Sequence, residues 1–187
     1  MSAPPAERAA PPGPAAQLGA RDSIRGELEA VGASFHSLLA DPSDDDWRRP
    51  SANPGWTNGE VLFHMTLGFM MLAALIPLVR VFGRLPPWAS HIFSSILDFA
   101  TPLFNWVNAL GARGGGRVYD RASIGASFDR AHRRLLRLVD RLPDGEWGRR
   151  MHYPRRWDPL FDEAMTVERA FRYMVEHFNF HMGQIAR

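Results

Sequence analysis

From Asp22 to about Leu39, apolar side chains recur every three or four residues, at Ile24, Leu28, Val31, Phe35, Leu38 and Leu39. That period lines one face of a helix. The pattern stops at Asp41-Pro42, and a loop follows with the acidic run Asp44-Asp45-Asp46, then Trp47 and prolines at 50 and 54. Trp56-Thr57-Asn58-Gly59-Glu60 carries the S/T-x-x-E capping box ahead of an apolar run. This predicts a second helix from near Asn58 to about Phe82. A third helix is predicted from about Ser123 to Leu142, with Phe128, Leu135, Leu138, Val139 and Leu142 on one side and five arginines mostly elsewhere. The fourth begins near Thr166 and continues to the C-terminus, with Phe171, Met174, Val175, Phe178, Met182 and Ile185 at its apolar positions. No strand pattern stands out, so the expected class is all-α.

Two stretches complicate this picture. Residues 61–79 contain no charged side chain, and Ile92 to Leu110 is mostly apolar after the Leu85-Pro86-Pro87 break. The first is long enough to cross a bilayer. His64 and Pro77 in the first run, and Asp98, Pro102, Asn105 and Asn108 in the second, argue against a membrane hairpin. Buried bundle helices are equally apolar all round. The second helix therefore reads as a core element, and about 83–116 as an extra apolar helical insertion covering the bundle. Gly111–Gly116 reads as a glycine-rich link, without the preceding strand and following Lys-Ser/Thr of a phosphate loop.

Residues 1–20 are rich in alanine and proline and are expected to form a disordered tail. A single domain is expected over 21–187. The start of the chain has neither the basic residues nor the apolar run of a secretory signal, so a cytoplasmic location is expected. A weak internal repeat runs through the domain: helix, then Pro-acid-Trp-Arg loop (Pro42 to Arg49, Pro143 to Arg150), second tryptophan, then helix. Two such helix pairs would pack as a four-helix bundle, each hiding its apolar face against the other.

Composition narrows the chemistry. The 187 residues include no cysteine and no lysine, so disulfides, thiolate metal sites, cysteine nucleophiles and Schiff-base lysines are excluded. Net charge is +2, but residues 111–156 carry 12 arginines against 5 acids. No recognition-helix pattern or aromatic-interleaved groove accompanies that stretch, so it reads as solvated helix surface rather than a nucleic-acid site.

The candidate chemistry lies in the histidines. His177 and His181, four apart, share one face of the last helix, one turn from each other. Alone, such a pair would merely flank a ridge. His64, two turns into the second helix, would be a core histidine by itself. In the repeat, however, the second and fourth helices are equivalent and both present histidine inward, which makes a divalent-metal site of the kind bundles build in their cores. Near these ligands, Glu60 could accept the second ring proton of His64 but reads as completing the capping box, and Gln184 and Tyr173 could face the open coordination positions but read as packing or surface residues. His36, His132, His91 and His152 receive no role, and no catalytic side chain is assigned.

Gly-Trp-Thr-Asn-Gly-Glu-Val-Leu-Phe-His at 55–64 and Glu-His-Phe-Asn-Phe-His-Met-Gly-Gln-Ile at 176–185 resemble the two signatures of the DinB-like superfamily. The resemblance covers roughly 22–82 and 117–187. It implies a four-helix bundle in which His64, His177 and His181 bind a divalent ion, with nickel, zinc, iron or manganese as candidates. It further implies transfer of a low-molecular-weight thiol, or hydrolysis, on a small-molecule substrate. The stretch 83–116 is longer and more apolar than the corresponding family link. It supports a different expectation, a non-catalytic binding or membrane-associated bundle whose metal is vestigial or absent and whose functional surface is the apolar 83–110 segment. Peripheral membrane contact and a homodimer both remain open as associations.

Overall fold

The computed structural model describes residues 14–40 and 44–186, with side chains over 19–40 and 46–186. Helix α1 spans Pro14–Ala40, and the single turn α2 spans Asp44–Arg48. Helices α3 (Asn58–Phe82), α4 (Pro87–Phe99), α5 (Thr101–Val118) and α6 (Arg121–Arg141) follow. After a 3₁₀ turn at Asp144–Glu146, strands β1 (Arg150–His152) and β2 (Ala164–Thr166) lead into α7 (Val167–Met182). The predicted start of the first helix needs correction. Residues 1–13 of the expected tail lie outside the described residues, but Pro14 to Ala20 belong to α1. Proline is pre-set for the first helical position, and the alanines, glutamine and leucine after it are good helix formers.

Four of these helices form the bundle. α1 packs against α6 and α7, and α3 packs against the same two helices. Ile24, Leu28 and Phe35 of α1, Met65, Phe69 and Ile76 of α3, Phe128 and Leu135 of α6, and Phe171 and Phe178 of α7 are fully enclosed. At the centre the Phe35 and Phe128 rings stack with centroids 3.9 Å apart, and Phe69 leans on Phe128 at 4.9 Å. Helix α3 has the length and composition to cross a bilayer, and 44% of its apolar window is buried inside the protein.

The internal repeat is a structural one. Pro50 and Thr57 form an isolated antiparallel bridge, and Arg150 pairs with Thr166 in the two-stranded sheet. Thr57 then caps α3 and Thr166 caps α7 through their side-chain oxygens. Arg49 O accepts from Asn58 N at 3.0 Å, as Arg149 O accepts from Val167 N at 2.9 Å. The strands themselves were not expected. Three residues each are too few for period-two alternation to show.

The insertion forms α4 and α5. Its glycine-rich end is not a link: Gly111–Gly116 lie within α5, which packs along α3. A Cβ at Gly115 would sit 2.3 Å from the Phe63 ring, and one at Gly116 would sit 2.9 Å from Glu60 Cα. At Gly115 the Phe63 ring, and at Gly116 the Glu60 backbone, leaves no room for a side chain, and this packing offsets the poor helix propensity of glycine. At the other end of α3, Glu146 accepts from Arg80 at 2.9 Å and from Arg84 at 2.7 Å. The Arg80 hydrogen bond chiefly holds its carboxyl below the usual carboxylate range.

Gly115→Ala is expected to destabilise the protein by about 1–3 kcal/mol through overpacking against Phe63. Gly114→Ala, where a Cβ meets nothing within 4 Å, should be neutral or stabilising by up to about 1 kcal/mol. Thermal denaturation of the two variants separates a packing role from a flexible linker, which would tolerate both equally.

Candidate metal centre

His64 lies seven residues after its helix cap Thr57, and His177 lies eleven after Thr166, two and three turns into helices with the same entry. His181 follows one turn later on the face shared with His177. The structure brings all three predicted residues together. One ring nitrogen from each lies within 4.8 Å of the others, and the Nε2 atoms of His64 and His177 are 3.3 Å apart. His177 and His181 are buried and His64 half-buried. Gly68 faces the His177 ring, so no α3 side chain stands between the helices there.

Burial pushes the His64 imidazole down to about 4, helped by the nearby His181 and opposed by the Asn108 side chain of α5. Burial, and then the charges His64 and His181 would carry, hold His177 well below the ordinary histidine value. Burial also lowers His181, against opposing effects of Gln184 and Asp158. Three neutral rings thus offer lone pairs to one small volume.

The orientation of His181 is set from outside the triad. Its Nδ1 donates to Gln184 Oε1 at 2.8 Å, which leaves Nε2 unprotonated. Gln184 is held by two backbone bonds: its N–H donates to His181 O at 2.9 Å and its carbonyl accepts from Ala52 N at 2.8 Å. Asn58, at the start of α3, pairs with both backbone groups of Ala186, at 2.8 and 3.0 Å. Gln184 is therefore a partner of the site rather than a packing or surface residue. Glu60 completes the capping box, accepting from Thr57 N at 2.8 Å.

Sequence reasoning missed Asp158. Its Oδ2 accepts from the Tyr173 hydroxyl at 2.7 Å and lies 3.9 Å from His177 Nε2. Burial and the adjacent Asp158 charge push the Tyr173 hydroxyl above its ordinary value, so it stays a donor. A lone aspartate in an irregular loop has no period to mark it. The remaining histidines have structural partners: His36 with Asp129, His132 with Leu28 O, and His152 with Ser90. His91 lies in α4 and His152 in β1, and their rings meet edge to face. A cleft of about 290 Å³ lined partly by Asp46, Trp47, Asn58 and Arg121 does not include the triad.

The donor set fits a divalent ion. Zinc-type nitrogen ligands about 2.0–2.1 Å from a tetrahedral centre stand roughly 3.3 Å apart, which is the His64–His177 separation of 3.3 Å. The Nδ1 atoms of His64 and His177 are buried without a hydrogen-bond partner. His64, His177 and His181 could hold the ion while other coordination positions stay open.

A four-helix bundle with an inward-facing histidine triad defines a class of metal-associated helical proteins. The DinB superfamily model matches residues 27–185, and the chain belongs to that superfamily. No curated protein and no solved structure gives a match.

The lowered histidines make a pH prediction for the metal-free protein. Unfolded histidines take up protons near 6.5, whereas His64 stays neutral until about 4. The share due to His64 is fully present above 6.5 and is lost as pH falls from there toward 4, by up to about 1.4 kcal/mol per pH unit, and the lowered His177 and His181 act in the same direction. Urea midpoints at pH 7 and pH 5 should therefore diverge more for the wild type than for His177→Ala/His181→Ala. Parallel shifts would contradict the assignment.

Proposed function

We propose that this chain is a cytoplasmic, divalent-metal-dependent enzyme that transfers a low-molecular-weight thiol of the mycothiol or bacillithiol kind, or else hydrolyses a small substrate. The observation carrying this reading is the buried triad, with three ring nitrogens inside 4.8 Å. An ion held there would act as a Lewis acid, lowering the pKa of a bound water or thiol. The chain's own residues hold and orient. His64, His177 and His181 supply neutral nitrogens, and Gln184 fixes the His181 tautomer. Trp56 stands edge-on to His64 with centroids 5.2 Å apart. A protein with no cysteine cannot supply the sulfur, so a thiol reaction needs one brought by the substrate. Nickel, zinc, iron and manganese all suit imidazole donors.

Elemental analysis of purified protein should find near-stoichiometric divalent metal in the wild type and only traces in His177→Ala/His181→Ala. Equal traces in both would remove the basis for the enzyme reading. Metal-loaded protein should then accelerate consumption of bacillithiol or mycothiol by 1-chloro-2,4-dinitrobenzene at least tenfold over the double variant. No acceleration would leave hydrolysis as the surviving chemistry.

A second reading places function on the insertion, and one observation favours it. Trp88, Ile92, Ile96 and Phe99 of α4, and Leu103, Trp106, Val107 and Leu110 of α5, are all exposed, Phe99 by 87%. These positions recur at three and four residues, so each helix carries one apolar stripe. Exposed Arg113 and Arg117 end α5, and exposed Arg155 and Arg156 lie beside α4. Asp98, the one acid in 83–118, accepts from Arg156 N. Apolar and aromatic stripes with a basic rim match an anionic lipid surface. The protein should float with phosphatidylglycerol vesicles but not with phosphatidylcholine alone, and Trp88→Ser/Trp106→Ser should abolish flotation. Failure to bind either vesicle, with a dimer by light scattering that the double variant breaks, would assign the face to a second copy instead.

A further inference from the structure

The two halves of the repeat differ most between bridge and helix cap. In the first half residues 51–56 make a short turn. In the second, 153–163 form a longer loop bearing Trp157 and Asp158. That loop is fastened to the insertion. The Trp157 ring stacks on Phe104 of α5, with centroids 3.8 Å apart and planes 8° from parallel, and its Nε1 donates to Leu97 O of α4 at 2.9 Å. The preceding residue adds a bond from Arg156 N to Asp98 Oδ1 at 3.1 Å.

The next residue meets the metal centre. Asp158 Oδ1 accepts from Leu160 N at 2.8 Å, and Oδ2 accepts from the Tyr173 hydroxyl at 2.7 Å. Its side chain is only 17% exposed. Tyr173 lies seven residues after its helix cap, as His64 does after its own. At the repeat position where α3 supplies a nitrogen, α7 instead orients a carboxylate.

We propose that Asp158 is the anionic fourth member of the centre, presented to the histidine triad by the α4–α5 insertion through Trp157 and oriented by Tyr173. This rests on the metal-binding reading above. Three neutral imidazoles leave a dication's charge uncompensated, and a buried charge is costly without an opposite one. A carboxylate oxygen has lone pairs enough to keep the tyrosine bond and face an ion as well. Two donors sharing an ion at about 2.0–2.2 Å each cannot stand more than about 4.4 Å apart. The 3.9 Å between Asp158 Oδ2 and His177 Nε2 satisfies that limit.

The test uses full-length protein loaded with Co²⁺, with affinity measured by chelator competition and coordination by visible d–d absorption. Asp158→Asn keeps an acceptor for Leu160 N. It should bind Co²⁺ about 10–100-fold more weakly than wild type, with altered band position or intensity. Trp157→Ala and Tyr173→Phe keep the carboxylate but release it, and each should weaken binding by a smaller factor. Wild-type affinity and spectrum in Asp158→Asn would overturn the proposal. Wild-type affinity in Trp157→Ala would overturn the insertion's part in it. If the wild type itself binds no Co²⁺, the metal reading fails instead, so the two failures are distinguishable. Should Asp158→Asn not fold, Tyr173→Phe decides: unchanged affinity and spectrum there would count against the proposal.

Discussion

Helices α3 and α7 enter the bundle alike, from an antiparallel bridge ending in a threonine whose side chain caps the helix. This shared entry fixes the rotation of each helix about its axis, and everything at the site depends on it. A helix turns 100° per residue, so a slip of one residue at either cap would carry His64, or His177 with His181, away from the shared volume. The caps in turn rest on backbone bonds that Asn58 N and Val167 N donate to the Arg49 and Arg149 carbonyls. The C-terminal segment adds a tie across the same end of the molecule. Asn58 grips Ala186, and Gln184 is thereby placed against His181.

What the sequence revealed follows from which features are periodic. The amphipathic stripes of α1, α6 and α7 and the capping box at Thr57 are local patterns, and the structure has them. The three histidines were legible because each sits at a helical spacing from another recognisable feature. Asp158 was not, because its approach to His177 depends on Trp157 reaching α4 and α5, a contact between distant segments. Gln184 looked like a packing residue for the same reason: its role exists only once Asn58 has fixed the chain beyond α7.

The glycine run at 111–116 shows the opposite error. Local propensity reads it as a break, and on propensity alone it would be one. Helix α5 continues through it because Phe63 and Glu60 occupy the space where side chains would have been. Tertiary packing overrode the local preference. The same contact explains why an apolar insertion sits on an already complete bundle: α5 covers α3 along its site-facing length, and Asn108 comes to the His64 ring. The insertion's outer stripes gain nothing from that packing and stay exposed.

The bridges also divide labour between the two halves of the molecule. The short turn at 51–56 has room for little beyond delivering Trp56 and the α3 cap. The longer loop at 153–163 is anchored at both ends by a bridge that would close whatever lay between. Residues can therefore be gained, lost or exchanged within it without rotating either histidine-bearing helix. In such a fold a change within the loop would alter what faces the three histidines while leaving them where the helix caps put them.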